Sequence, residues 1–384
     1  MRLLILVSVL SIFSFGLIMI FDTSSAEVLD RALTCSLYQA LVRQLLYGGI
    51  SLCLAFLIWK IDIKDILKIS PFLLSLTTLS LVFVLIPGLG ICKNGARRWL
   101  GMSFLSIQPS EFVKYLVPLV YIEKILSHSK YFNSFLSFLK LFFFLLIPIV
   151  LIIIEPDNGT AFVILASLFS LFWVSRLPLK YWLIPLLLLS FLGCFVAYQL
   201  TYVRDRLKVY LHPEKDLKGK GHQPYQAKIA AGSGLLFGKG PGASLQKLTY
   251  LPEAQNDYIA AIFAEEFGWI GMMILITFYM LFLFGGFFIC IKTNSLYVSY
   301  LASAITFLIT FQVFLNLGVV SGLLPSKGVN LPFFSQGGSS LVANVCGLTL
   351  LLKVCNYEKK DIFSCRRNRR TFISCSTIGK QNSR

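Results

Sequence analysis

The chain reads as an all-α polytopic membrane protein, with about ten transmembrane helices and a large extracytoplasmic loop between the seventh and the eighth. Three observations predict this. Hydrophobic residues fill 56% of the 384 positions and charged ones only 14%, too little polar surface to cover a water-soluble globule. Mean hydropathy is +0.75. Apolar runs of roughly 20 residues, long enough to cross the hydrocarbon core of a bilayer, recur along the chain.

In order, the runs fall at 2–20, 41–59, 71–88, 109–126, 138–154, 159–175, 181–200, 258–290, 297–318 and 337–354. The first leads into Asp22-Thr-Ser-Ser-Ala26, which imitates a signal-peptide cleavage site, but its length favours a retained spanning helix. The fourth is opened by Pro109, which suits a first helical turn, with Ser110 and Glu111 able to satisfy exposed amides. The fifth and sixth are separated only by Glu155-Pro156-Asp157-Asn158-Gly159, whose turn chemistry reverses the chain. The eighth is longer than a bilayer requires, which predicts a start above the membrane, a tilt, or a bend near Gly285-Gly286. Residues 1–355 thus form one membrane domain containing the large loop 201–257, and 356–384 form a basic tail predicted to be disordered.

Lys60, Lys64 and Lys68, then Lys130 and Lys140, then Arg176 and Lys180, then Lys292 occupy alternate loops. The positive-inside rule makes these loops and both termini cytoplasmic. Two loops assigned outside break the pattern, the short one with Lys93, Arg97 and Arg98 and the long one at 201–257. The formal charge of +17 does not indicate nucleic acid, because the basic residues lie around apolar segments rather than on a soluble face. Anionic lipid or a phosphate-bearing lipid substrate fits better. Nine scattered cysteines and three histidines form no metal-ligand spacing, which argues against a zinc enzyme.

Four segments carry candidate chemistry. Glu111 and Lys114, three residues apart, share a helix face. They form either a structural ion pair or a site where Lys114, Arg97 and Arg98, oriented by Glu111, meet an anionic headgroup. Ala231-Gly-Ser-Gly-Leu-Leu-Phe-Gly-Lys-Gly-Pro-Gly242 is not a phosphate loop, since glycine follows Lys239 and serine stands at 233; a turn-rich segment on the membrane surface fits it better. Glu253, Asp257, Glu265 and Glu266 cluster where the long loop enters the eighth helix; Asp257 is either a helix cap or a working acid. Gly322 to Ser340, with two prolines and several glycines, is irregular backbone of the kind tolerated at membrane depth only when buried or lining a polar cavity.

Together these segments resemble the SEDS (shape, elongation, division and sporulation) family of polytopic peptidoglycan glycosyltransferases. The resemblance rests on Gly95-Ala-Arg97-Arg98-Trp99, Gln108-Pro-Ser-Glu111 with Lys114, and Pro156-Asp157 with Gly159-Thr160. It continues in Ile229 to Gly240, Leu251-Pro-Glu253 with Asp257, Glu265-Glu266, and Leu331-Pro332 through Gly337-Gly338-Ser339-Ser340. Ser244-Leu-Gln246-Lys247 and Leu324-Pro-Ser-Lys327 look more like the division branch, FtsW, than the elongation branch, RodA. The family's His-Thr-Asp-Phe is here Gln255-Asn256-Asp257-Tyr258, its Gln-Pro-Asp is Glu155-Pro156-Asp157, and its Ser-Tyr-Gly-Gly is Ser335-Gln336-Gly337-Gly338.

The resemblance implies polymerisation of lipid II, a disaccharide-peptide on undecaprenyl pyrophosphate, at the outer face of the bacterial cytoplasmic membrane. It implies Asp257 as general base and Arg97, Arg98, Lys114 and Lys239 as stabilisers of the departing pyrophosphate, with or without a divalent cation such as Mg or Mn. Gln108, Glu111, Glu253, Ser335, Gly337, Gly338 and Ser339 are the further substrate-binding candidates. A class B penicillin-binding transpeptidase and other division or elongation complex proteins are the implied partners. A lipid-precursor flippase and a non-enzymatic division scaffold are the rival readings.

Overall fold

A computed structural model describes residues 1–30, 36–93, 96–101, 106–128, 134–187, 210, 222–249, 255–293, 295–326 and 328–356. Its helices are α1 (Arg2–Asp30), α2 (Gln39–Lys60), α3 (Ile63–Leu85), α4 (Pro109–Ser127), α5 (Phe135–Ile154), α6 (Asn158–Val174) and α7 (179–187). The chain continues with α8 (His222–Ser233), α9 (Gln246–Thr249), α10 (Ile259–Lys292), α11 (Leu296–Val320) and α12 (Gly338–Asn356). Among the described residues α1, α2, α3, α5, α10, α11 and α12 are long and apolar enough to cross a membrane, and α6 is a shorter apolar helix. The protein is therefore helical and polytopic, as predicted. Residues 201–209, 211–221 and 250–254 of the large loop lie outside the described residues, which cover Tyr210, α8, α9 and the turns around them.

Three local expectations change. The first helix does not stop near residue 20: Thr23, Ser24 and Ala26 are buried within α1, and the Thr23 hydroxyl donates back to the Met19 carbonyl at 2.7 Å, so small polar residues continue the helix. Lys64 and Lys68 belong to α3 rather than to a loop, since only Ile61 and Asp62 separate α2 from α3. The segment before α4 is a small antiparallel sheet, β1 (Ile91–Lys93), β2 (Ala96–Gly101) and β3 (Ser106–Ile107), in the order β1-β2-β3. Successive strand residues face opposite sides, so Arg97 is exposed while Arg98 is half-buried.

Packing concentrates along α1 against α10, α3 against α4, α6 against α4 and α11, and α10 against α11 and α8. The rings of Tyr121, Phe138, Phe142 and Phe172 are fully buried where α4, α5 and α6 meet. Phe172 sits 5.1 Å from Tyr121 and 5.4 Å from Phe138, spacings at which aromatic pairs attract.

The bend in α10 is at Gly268 (φ 65, ψ −164), not at Gly285-Gly286. An added Cβ on Gly285 would strike Ile5 and one on Gly286 would strike Thr306, so that pair serves close packing. Gly268 is different. The break leaves Trp269 and Ile270 without their usual acceptors, the carbonyls of Glu265 and Glu266 four residues back. Trp269 N donates instead to Leu235 O (2.9 Å) and Ile270 N to Leu236 O (3.1 Å). The vacated carbonyls of Glu265 and Glu266 accept from Lys239 N and Gly240 N, each at 3.0 Å. The glycine-rich turn thus satisfies all four backbone groups that the break would orphan.

Candidate active site

A cavity of about 580 Å³ is enclosed by α2, β2, the first turns of α4 and α6, the entry to α10, α11 and the irregular segment 326–340. Arg98, Gln108, Glu111, Lys114, Asp257, Gly337, Gly338 and Ser339, all singled out from sequence, line it. Its core is a buried ion pair. Lys114 is 1% exposed, with Nζ 2.5 Å from Glu111 Oε2 and donating to Gln312 Oε1 at 3.0 Å. One helical turn onward on α11, Asn316 Nδ2 donates to the Asp257 carbonyl (2.9 Å) and the Val329 carbonyl (2.7 Å). Gln312 Nε2 holds the Asn330 carbonyl at 2.9 Å. Residues 328–330 and the Asp257 backbone are therefore fastened to one face of α11.

Asp257 does not cap α10. Tyr258 occupies the cap position, without a side-chain capping bond. The Asp257 Oδ2 lies 3.4 Å from where a Cβ on Gly328 would stand, at the cavity wall.

Asp157 caps α6, accepting from Thr160 N at 3.4 Å. Its Oδ2 accepts from Gln108 Nε2 (3.0 Å) and Ser110 Oγ (3.3 Å). Burial raises its pKa, while the Arg98 charge and the Thr160 bonds oppose the rise and the Glu111 charge adds to it. Arg98 Nε donates to the Glu155 carbonyl at 3.1 Å and its Nη2 to the Pro156 carbonyl at 2.5 Å, clamping the turn between α5 and α6. Burial pushes Glu155 up to about 8, with the Asp157 charge adding and Arg98 opposing. Its carboxyl oxygens are buried without a hydrogen-bond partner, as suits a protonated acid better than an ionised one.

Ser339 Oγ accepts from Gln108 N at 3.0 Å and donates to the Ser106 carbonyl at 3.2 Å, and Tyr47 OH bonds the same Ser106 backbone at 2.9 Å. Gly338 is required here, because an added Cβ would overlap the Tyr47 ring at 2.2 Å. The other candidates lie elsewhere. Arg97 is exposed and off the cavity lining, and Ser335 Oγ is spent accepting from Leu331 N at 2.9 Å. Glu253 lies outside the described residues. Lys239 pairs with Glu265 at 2.6 Å, and Ser244 Oγ donates to Glu265 at 2.5 Å. Lys247 bridges Glu266 and Asp22, both at 2.7 Å. Glu265 and Glu266 fasten the large loop to α10 and α1, away from the cavity lining.

Arg43, Gln44 and Tyr47 on α2 and Gln312 on α11 also line the cavity, and Asn316 supports it. The available signal was polar residues four apart inside apolar helices, Arg43 with Tyr47 and Gln312 with Asn316. Among the described residues no group of three or more His, Cys, Asp or Glu side chains converges. This donor set does not make a dedicated cation cage.

Chemically, the arrangement places a carboxylate at the mouth of α10 opposite two cationic groups, Arg98 and Lys114, within one polar cavity. It is suited to accepting a proton at one end and stabilising an anion at the other. The sequence model of FTSW_RODA_SPOVE, described as cell cycle protein, matches residues 1–360. Stage V sporulation protein E of Bacillus subtilis is 37% identical over 361 residues, covering 93% of this chain and 97% of that protein. The probable peptidoglycan glycosyltransferase FtsW of Coxiella burnetii is 35% identical over 364 residues, covering 93% and 96%. Among solved structures, a chain of a peptidoglycan synthase complex superposes with a TM-score of 0.72 at 26% identity, covering 92% of this chain and 97% of that one. The rod shape determining protein RodA of Thermus thermophilus gives 0.65 at 26% identity, covering 92% and 96%.

Proposed function

Because the chain belongs to the FtsW/RodA/SpoVE family, we propose that it is a peptidoglycan glycosyltransferase that polymerises lipid II. The observation that carries the reading is the shared cavity of Asp257, Arg98 and Lys114. The Asp257 carboxylate takes the proton of the acceptor sugar hydroxyl as that oxygen attacks the donor's anomeric carbon. The bond from that carbon to the pyrophosphate breaks, and the electron pair leaves with the phosphate. Arg98 and Lys114 receive the developing negative charge. Glu111 and Gln312 hold the Lys114 ammonium in place, while Asp157, Gln108 and Ser339 fix the start of α4.

In this reading the cavity faces the outer side of the bacterial cytoplasmic membrane and both termini face the cytoplasm, as the loop charges favour. The division branch is the better match, and a class B penicillin-binding transpeptidase is the partner. The test is chain growth by the purified, reconstituted protein with that partner and lipid II. Asp257→Asn, inserted normally, is expected to lose about 10²- to 10⁴-fold in rate. An unaltered rate rejects the assignment. Lipid II translocation without chain growth by the wild type supports a flippase, and silence of the substitution in both assays supports a scaffold.

A further inference from the structure

We infer that the turn Leu235-Leu236-Phe237 is inserted among lipid acyl chains at the edge of the bilayer, so that the large loop is tied into the membrane beside α10. The three residues are 82%, 59% and 80% exposed, an apolar tip that no described residue covers. Such a cluster in water is unfavourable, and on a membrane protein its natural solvent is lipid.

The neighbouring helix supplies the level. Beyond the break at Gly268, the continuous stretch 269–292 extends about 36 Å at 1.5 Å per residue, whereas the hydrocarbon core is about 30 Å thick. Counting back from Lys292, roughly 20 residues cross the core and end near Met273, which leaves Gly268 and Trp269 about 6 Å further out, in the interfacial layer. Trp269 is the residue type that settles at that depth. Below it, Ile270, Met273 and Ile274 continue an exposed apolar stripe, with a shallow groove of about 290 Å³ that also involves Thr277 and Phe278.

The turn is not free to choose its height. Its Leu235 and Leu236 carbonyls accept from Trp269 N and Ile270 N, so the tip is fixed beside the boundary residue by backbone bonds. Two positions beyond Phe237, Lys239 is pulled back to Glu265, which keeps the cation with the polar side of the turn. The arrangement is an apolar wedge with a charged base. Its occupant is the outer part of an acyl-chain layer, because the tip continues the lipid-facing stripe of α10 without a polar interruption.

The full chain is reconstituted in phosphatidylethanolamine–phosphatidylglycerol bilayers containing a lipid with a diazirine in its acyl chain, irradiated, digested and mapped by mass spectrometry. Hydroxyl-radical footprinting of the same vesicles reports contact with water. Adducts on 235–237 comparable to those on 269–274, and several-fold above those on 255–258, are expected, with Phe237 protected from hydroxyl radicals. Radical oxidation of Phe237 without carbene adducts overturns the inference. So does protection from both reagents, which means that a protein surface or a second copy covers the tip. Neither readout depends on catalysis, so failure of the glycosyltransferase reading leaves this test intact.

Discussion

Removing the Lys114 ammonium strands a carboxylate that the fold has buried. In Lys114→Met the stem is retained and only the charge and its two contacts are lost: the 2.5 Å ion pair with Glu111 and the 3.0 Å bond to Gln312. Glu111 is 7% exposed, so little solvent reaches the stranded carboxylate. An uncompensated buried charge of this kind costs about 3–5 kcal/mol, against about 1 kcal/mol or less for an exposed pair. Glu111→Gln in the same chain removes the stranded charge, so the double variant is expected to recover most of the loss. Denaturant unfolding of the detergent-solubilised wild type, both single variants and the double variant measures the coupling. If Lys114→Met loses less than about 1 kcal/mol, or if the double variant is no more stable than Lys114→Met, the buried pair does not exist as described. The double variant should remain inactive in chain growth, because its stability returns but the cation facing the departing phosphate does not.

Glu155, pushed up to about 8 from an ordinary 4.5, takes up a proton on folding between those values. Stability therefore falls as pH rises from about 4.5 towards 8, and Glu155→Gln should flatten that slope in thermal unfolding; an unchanged slope rejects a neutral Glu155. Gly268→Ala forces a Cβ to within 2.3 Å of Gly238 N in backbone geometry that only glycine adopts readily. It should cost upwards of about 1–3 kcal/mol and open 235–249 to limited proteolysis, whereas wild-type protection at that segment counts against the backbone lock. Lys247→Met leaves Asp22 and Glu266 facing each other without a cation, and the thermal midpoint should drop; Glu266→Gln added to it should restore part of the loss.

The helical, polytopic architecture was legible because span length and hydropathy are properties of contiguous residues. So were the residues whose neighbours in sequence are also their neighbours in space, such as Gln108, Glu111 and Lys114 on the first turns of α4. What could not be read was the assignment of charges to partners far along the chain. Lys239 and Lys247 look alike to Lys114 in a basic loop, yet they neutralise Glu265, Glu266 and Asp22, which are brought together only by the docking of α9 and α1 on α10. The length of the eighth segment predicts a start above the membrane, a tilt, or a bend near Gly285-Gly286, and sequence does not choose among them. Gly285 and Gly286 are instead held by packing, and the break falls where the turn at 235–240 can substitute for the missing backbone partners. The roles of Arg43 and Gln44 are not legible from neighbouring sequence, since their partners are Ser106 on β3 and Gly337 just before α12.

Gln312 and Asn316 stand one helical pitch apart on the same side of α11, about 6 Å of axial rise. One grips the ammonium of Lys114, the other the backbone of Asp257. The two amides therefore act as graduations on a ruler: they set the gap between the Lys114 ammonium and the Asp257 backbone, in the two residues to which the proposed reaction assigns the phosphate and the proton. Sliding or tilting of α11 carries both marks together and leaves that gap unaltered. A polymerase must meet the same spacing at every addition while its product is pulled through. Placing both marks on one rigid rod, rather than on two helices that can shear, keeps successive cycles in step.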